Sequence, residues 1–387
     1  MRVMIVHNYY QQSGGEDAVV ANERALLESH GHDVRFYAAD NDAIRGPLAT
    51  LQTAWRTPYS PAERRRFAEG LAEVRPDVVH VHNFFPLLTP SLFDACREHG
   101  VPVVQTLHNY RLICPGALLM REGRICESCI TGSPYRSVWH RCYRGSALGS
   151  LATARMVAYH RSHGTWHHKV DRFIALTEFA KSRFVAGGFP PAKITVKPNF
   201  YDDRHRVPHS GERSGALYVG RLSPEKGIGT LLQAWGGLEE PLMVIGDGPM
   251  KAAVLATPGV TFLGRLGAAE VSAHMAQAAF LVAPSECYEG FPMVLAEAFA
   301  HGLPVITSNL GSMPEIVSDF ETGLLAEAGN PSDLAAKVRW ACKHPDQMRR
   351  MGDNARRQYE QNFTPLTNYR HLMEIYRAAV RPVSRAT

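Results

Sequence analysis

No run in these 387 residues comes near the ~18 uninterrupted apolar residues of a membrane-spanning helix. The opening MRVMIVHNYY has one basic residue and an apolar run of four before His7. That is too short for the hydrophobic region of a secretory signal and reads as a first buried strand. Glycine and proline, at 32 and 25 residues, fall well below a collagen-like or low-complexity bias. No repeat of solenoid period is visible. The cysteine count is odd, at seven. Without a secretory signal this argues for free thiols in a reducing compartment, hence a cytoplasmic protein. A 45% hydrophobic and 20% charged composition excludes a disordered chain. What remains is a chain long enough for two cores, since single cores rarely grow past ~250–300 residues.

The net charge of +5 is unevenly placed. Residues 1–200 hold 24 Lys+Arg against 17 Asp+Glu, and the remainder holds 18 against 20. The excess peaks in 121–172, which carries nine basic and three acidic residues. His140, His160, His163, His167, His168, Trp139 and Trp166 lie in the same stretch. A basic half beside a near-neutral one suggests a domain that meets phosphates, nucleic acid or a membrane surface. A merely solvated surface is the competing reading.

Short apolar runs alternate with helical periodicity. Arg2–His7, Asp33–Tyr37, Asp77–Val81, Pro102–Leu107 and Phe173–Leu176 read as strands covered on both faces, so as parallel sheet. Val19, Val20, Leu26 and Leu27 give Glu16–His30 a helical stripe that Gly31 ends. Lys197–Ser214 has little to bury and reads as a linker. A second series then follows: Ala216–Val219, Leu242–Ile245, Val260–Leu263, Phe280–Ala283 and Pro304–Thr307, ahead of a terminal run of helices. The expected fold class is α/β, with two Rossmann-like doubly wound domains facing a cleft.

Chemistry is expected at the carboxyl ends of such strands. The turn Gln11-Gln12-Ser13-Gly14-Gly15-Glu16-Asp17 links a strand to a helix start that suits an anion. It is not G-x-G-x-x-G, which disfavours a dinucleotide. His108 closes the strand Val103–Leu107. His80 and His82 also end a strand, but nothing else nearby in sequence is chemical. On the loop Gly220-Arg221-Leu222-Ser223-Pro224-Glu225-Lys226-Gly227, Arg221 and Lys226 can clamp a diphosphate. Ile245-Gly246-Asp247-Gly248-Pro249 is a further glycine turn. The run Pro284–Ala298 passes from a strand through a glycine turn into a helix. It sets Glu289 before the helix and Glu297 about two turns along it. Eight residues is ~12 Å of helical rise, too far for an acid/base pair. Two carboxylates so spaced can hold two parts of one elongated ligand, with backbone N–H groups of Gly290, Phe291, Met293 and Val294 between them. A buried Glu297 needs hydroxyl partners such as those of a sugar.

Cys114-x(11)-Cys126-x(2)-Cys129-x(12)-Cys142 has the spacing of a four-thiolate knuckle and is a candidate structural zinc site. Four thiolates would leave no open position for catalysis. Unrelated thiols or a redox pair are the competing readings.

EGFPMVLAE, with Glu289 and Glu297, resembles the E-x(7)-E hallmark of the retaining nucleotide-sugar glycosyltransferases of family four (glycosyl transferases group 1). GRLSPEKG, IGDGP, VTFLG, PSECYEG, HGLPVITSNLGSMPEIV and ETGLL extend the resemblance over nearly all of 216–345. SGGED, HVHNF and TLHNY carry it more thinly in the first half. The cysteine insertion has no counterpart in the common pattern, and Lys197-Pro198-Asn199-Phe200 departs from a frequent Asn-Gly. The resemblance implies the GT-B fold: an acceptor-side domain 1–197 with insertion 114–142, a nucleotide-sugar domain 198–364, and a C-terminal helix 365–387 packing back on the first domain. It implies that Arg221 and Lys226 hold the donor diphosphate and that Glu289 holds hydroxyls of the transferred sugar. Glu297 would take the ribose, Arg265 and Leu266 the base, and Gly14 and Gly15 the phosphate or acceptor. His108 would approach the sugar near the anomeric carbon. The implied reaction moves a hexose from a UDP- or GDP-sugar, with retention, to a lipid-linked or polysaccharide acceptor. No metal is needed if Arg221 and Lys226 neutralise the diphosphate. Basic residues beside tryptophans in 121–172 point to a peripheral protein on the anionic inner membrane face. The rivals are a sugar-nucleotide epimerase, a phosphorylase, and a nucleic-acid-binding protein to which E-x(7)-E would be useless. The expected partners exclude nucleic acid.

Overall fold

The computed structural model describes residues 1–11, 14–208 and 211–380. Gln12 and Ser13 of the first turn, His209 and Ser210 of the expected linker, and 381–387 of the expected last helix lie outside the described residues. The chain forms two compact units. The first comprises Met1–Arg121, Cys126–Pro198 and the described part of Asn368–Thr387; the second comprises Glu122–Ile125 and Asn199–Thr367.

In the first unit six strands form one parallel sheet: β1 (Arg2–Tyr9), β2 (Asp33–Asp40), β3 (Val78–Val81), β4 (Val103–Leu107), β5 (Arg172–Ala175) and β6 (Ile194–Val196). Their order is β2-β1-β3-β4-β5-β6. Val3, Ile5, Val78, Val104 and Ile174 fill one face of the core with Val20 and Leu27. Leu372, Met373, Ile375 and Tyr376 of the helix Pro365–Val380 complete that cluster. The first helix runs Gly15–Ser29, one residue earlier than its periodicity suggests, because Gly14 supplies the extended N-cap.

The second unit repeats the construction with β7 (Ala216–Val219), β8 (Leu242–Ile245), β9 (Val260–Gly264), β10 (Phe280–Ala283), β11 (Val305–Ser308) and β12 (Gly323–Ala326). The order is β9-β8-β7-β10-β11-β12, all parallel. The order in which strands are added therefore reverses between β7 and β10, the position where doubly wound sheets open a crevice at their carboxyl ends. In the first unit the reversal falls between β1 and β3. The sequence reading missed β6 and β12, the short edge strand of each sheet.

The start of the expected linker is not a solvated tether. Lys197 is fully buried, and its ammonium meets Glu23 Oε2 at 3.1 Å and Asn368 Oδ1 at 3.0 Å. A buried charge persists only when paired in this way. Asn199 and Phe200 are buried as well.

Candidate functional site

In the second unit the loops after β7 and β10, which flank the reversal, are locked together. Gly227 holds φ +72°, and a Cβ there would collide with the Pro284 carbonyl oxygen. The Glu286 N–H donates to the Glu225 carbonyl at 2.9 Å. The turn after β8 joins them through Leu222 N–H to Asp247 O at 2.9 Å. Glycine at 246 and 248 follows from that approach, since a side chain would strike the Gly220 and Leu222 carbonyls.

This frame carries a charged pair. Lys226 Nζ lies 2.6 Å from Glu289 Oε1, and Ser285 Oγ donates to the same oxygen at 2.8 Å. Ser312 Oγ fixes the Glu289 backbone carbonyl at 2.7 Å. Burial alone would raise the Glu289 carboxyl, but the Lys226 ammonium and the two hydrogen bonds hold it below its ordinary value. Burial alone would lower Lys226, but Glu289 holds it above its ordinary value, so both partners are charged. Arg221 does not share this contact. It pairs with Glu225 from an exposed position, and Tyr218 OH donates to its carbonyl at 2.9 Å. The two cations of the expected clamp are thus held separately, Lys226 by Glu289 and the exposed Arg221 by Glu225.

The helix after this loop begins at Met293, so Glu297 is its fifth residue, little more than one turn in. Residues 289–292 are not helical, and the carboxylates are not two full turns apart as the sequence suggested. Gly290, Met293 and Val294 are half-buried at the helix start, and Phe291 is buried against Phe363. Glu297 is half-buried, and burial alone pushes its carboxyl up to about 7. No cation offsets that cost. Arg265 is exposed and Leu266 half-buried just beyond β9.

In the first unit the structure assembles a cluster that sequence reasoning set aside. His82 Nδ1 lies 2.9 Å from His108 Nε2. His82 Nε2 faces Glu23 Oε1 at 3.3 Å, and His80 Nδ1 faces the same oxygen at 3.0 Å. His80 also meets Tyr376 OH and Thr106 Oγ1, each at 2.8 Å. Burial, then neighbouring His80, lowers His82 to about 3. Burial and His82 lower His108 well below its ordinary value. Glu23 is held well below its own by Lys197 and His80, which outweigh burial. Among the described residues, Glu23, His80 and His82 are the only three metal-type ligands with all donor atoms within 4.8 Å of one another. The Lys197 cation already neutralises Glu23, and His80 has two other partners, so the trio is an electrostatic cluster in which the close approaches to Glu23 Oε1 fall short of hydrogen-bond geometry.

A small cavity beside this cluster is lined by His82, Phe85, His108, Asn109 and Arg111. The Arg111 guanidinium lies 4.3 Å from the Phe85 ring, and its buried Nε and Nη1 have no hydrogen-bond partner among the described residues. Glu16 is bonded to Tyr10 OH at 3.0 Å, and burial lifts its carboxyl to about 8. Gly14 and Gly15 stand at the helix start, and no atom of the described residues lies within 4 Å of a Cβ built on either. The fold does not demand glycine there, so the open space is available to a ligand.

The cysteine segment is less compact. Cys114 and Cys129 are buried, Cys126 and Cys142 half-buried, and all are free thiols. Burial, then the nearby Cys114, Cys142 and Cys126, raises Cys129 to about 11. Arg161 ties the Cys129, Ile130 and Gly132 carbonyls at 2.9–3.0 Å. No three of the four sulfurs come within 4.8 Å of one another. The donor set suits zinc, but the geometry is looser than a closed tetrahedral site.

In the stretch 121–172 none of the nine basic residues is buried, but two of the aromatic groups read with them belong to the core. Trp166 and His160 are buried, the former stacked 5.6 Å from Phe189. His160 is satisfied by Thr165 Oγ1 at 2.9 Å and the Pro58 carbonyl at 2.7 Å. Trp139 alone of the two tryptophans is exposed.

Two family models match: "Glycosyltransferase Family 4" over residues 13–205 and "Glycosyl transferases group 1" over 200–358. The D-rhamnosyltransferase WbpZ of Pseudomonas aeruginosa is 33% identical over 170 residues, 41% of this chain but only 45% of its own length. This chain thus spans about half the length of that relative. The phosphatidyl-myo-inositol mannosyltransferase of Mycobacterium leprae is 31% identical over 362 residues, 87% of this chain and 86% of that one. Among solved structures, Anabaena Alr3699/HepE in complex with UDP superposes with a TM-score of 0.68 at 17% identity, over 97% of this chain and 99% of that one. That likeness places the two Rossmann-like units in the GT-B fold. With both halves matched and a full-length relative above 30% identity, the chain belongs to the group 1 (family 4) glycosyltransferases.

Proposed function

We propose that this glycosyltransferase moves a hexose from a UDP- or GDP-sugar to a lipid-linked or polysaccharide acceptor, with retention and without a catalytic metal. The carrying observation is the Lys226–Glu289 pair at the reversal between β7 and β10, followed by a Glu297 that has no cation to offset its burial. Lys226 spends one of its three donors on Glu289 and keeps two for a diphosphate. Arg221, exposed beside it, supplies a planar fork for the same group. Two cations on the leaving diphosphate are the reason for assigning metal independence. Glu289, held ionised, accepts from hydroxyls of the transferred sugar. Glu297 accepts from the ribose, and Arg265 and Leu266 meet the base. Met293 and Val294, with Gly290 and Phe291, present helix-start N–H groups to phosphate. In the first unit, His108 serves the transferred sugar, and the open space at Gly14 and Gly15 serves the phosphate or acceptor. The Arg111 N–H groups, unpartnered among the described residues, favour an acceptor that carries an anionic group. The departing phosphate accepts the acceptor proton as the new glycosidic bond forms on the face that the leaving group vacates.

A thermal-shift screen with UDP, GDP, ADP and their sugars tests the donor class, since ligand bound to the folded state raises the melting temperature. A shift with none of them, at concentrations up to about 1 mM, would sink the reading. Structural zinc at Cys114, Cys126, Cys129 and Cys142 is the proposal for the insertion. Metal analysis of purified protein should find zinc, Cys126→Ser should release it, and donor binding should persist. Four freely alkylatable thiols in metal-free protein would overturn it.

A further inference from the structure

The helix Gly46–Arg56 turns its largest apolar side chains outward. Leu48, Leu51 and Trp55 are 75%, 63% and 71% exposed, and no residue of the helix is fully buried. Spacings of three and four residues put these side chains on one stripe. The inward positions, Ala49, Thr53 and Ala54, are small and half-buried. They pack toward the helix Ala147–Ser162. That second helix buries Met156 and Val157 on its inner side but also turns leucines outward: Leu148 and Leu151 are 71% and 38% exposed, with Arg155 on the same stripe. The Arg155 guanidinium lies 4.6 Å from the Trp55 ring centroid, which joins the two stripes into one face. Neither helix contains an Asp or Glu. Arg45 and Arg56 flank the first helix, and Asp42 precedes it by four residues.

An exposed apolar face rimmed by cations and free of acids has a specific chemical complement. Soluble surfaces rarely gather several large apolar side chains without a partner. A leucine- and tryptophan-bearing stripe seats in the boundary between headgroups and acyl chains, and arginines beside it meet lipid phosphates. We infer that the Gly46–Arg56 and Ala147–Ser162 helices form the face by which the first unit lies on an anionic membrane. The face narrows the stretch 121–172 to the outer stripe of the helix Ala147–Ser162 and adds the helix Gly46–Arg56 to it. It deepens the lipid-linked acceptor reading above and rests on it for its purpose, though not for its geometry. No helix among the described residues is long and apolar enough to cross a membrane. Contact of this kind is reversible and salt-sensitive, with about a fivefold gain in partitioning for each cation held near the surface.

The test is co-sedimentation of the full chain with phosphatidylcholine vesicles, with and without about one-third phosphatidylglycerol. Wild-type protein should pellet with the anionic vesicles and be released by high salt. Leu48→Glu/Leu51→Glu should lower partitioning at least tenfold, and Arg155→Ala several-fold. Leu48 and Leu51 are exposed and Arg155 is half-buried against Trp55, and none of the three is a proposed donor-site residue, so the UDP-dependent thermal shift should be unchanged. That shift also separates the two readings, because its loss in wild type would count against the donor site and not against the face. Equal sedimentation of wild type and the double variant would overturn the inference. So would a wild-type dimer in solution that the double variant dissociates, which would make the face a contact between copies of this chain.

Discussion

The His82 and His108 rings stack 5.2 Å apart, with a 2.9 Å hydrogen bond between Nδ1 of the first and Nε2 of the second. One nitrogen must carry the proton. Glu23 is ionised and faces His82 Nε2, so the proton of His82 belongs on Nε2. His82 Nδ1 then accepts from His108 Nε2–H, and His108 Nδ1 is left as a bare acceptor. A neutral acceptor beside the cavity suits a sugar hydroxyl better than a cation would. His82 is thus a positioning residue. His82→Phe should lower kcat about tenfold with little change in KM, and His108→Ala about a hundredfold. The double variant should be no worse than His108→Ala alone, because both act through one group. Additive losses in steady-state kinetics would refute the coupling.

Glu297 gives a pH signature. Its folded carboxyl sits at about 7, against an ordinary value of 4.5, because of burial. Below 4.5 folded and unfolded chains both hold the proton. Between 4.5 and 7 the folded chain binds more, so this group makes the protein less stable as pH rises; above 7 the effect is constant. Glu297→Gln should therefore match wild type in melting temperature near pH 4.5. It should exceed wild type by several degrees at pH 8, while losing most of its nucleotide-induced shift. Identical pH profiles for the two proteins would show that Glu297 titrates normally.

The part of the site that was legible in sequence is the part that is local. GRLSPEKG and PSECYEG each follow a buried strand, and Glu289 and Glu297 fall within one turn-to-helix run, so pattern alone placed them. Which cation meets which carboxylate was not legible, because Lys226–Glu289 depends on how two loops pack. The Glu23–His80–His82–Lys197 cluster comes from three separate segments across 174 residues, and no local signal links them. Nor does composition separate Trp166, a core ring, from Trp55, a surface one. Both are single tryptophans in helices. What distinguishes them is which side of the helix has a neighbour.

Glu289 and Arg221 should respond differently to mutation. Arg221 is exposed, so Arg221→Ala should leave the fold intact and lower turnover about a hundredfold through lost diphosphate binding. Glu289→Gln leaves the half-buried Lys226 ammonium without its carboxylate. It should lower turnover on a similar scale and also the melting temperature by a few degrees. Restored stability in the Lys226→Met/Glu289→Gln double variant, still inactive, would separate the two effects. Full activity in either single variant, read by product formation, would remove that residue from the site.

The glycines offer the sharpest contrast between fold and ligand. Gly227 is required by the structure: φ is +72°, and a Cβ would drive into the Pro284 carbonyl. Gly227→Ala should destabilise the second unit strongly, by roughly 2–4 kcal/mol from strain and displacement together. It should also loosen the Lys226–Glu289 contact, which the same loop carries. Gly14 has extended backbone at φ −131°, and neither it nor Gly15 has an atom of the described residues within 4 Å of an added Cβ. Gly14→Ala and Gly15→Ala should therefore melt like wild type. Any activity they lose must come from a ligand that approaches the backbone there, and Gly15→Val should lose more than Gly15→Ala. Denaturant melts and turnover on the same four proteins decide the matter. A Gly15→Val protein as active as wild type would show that no substrate comes close to this helix start.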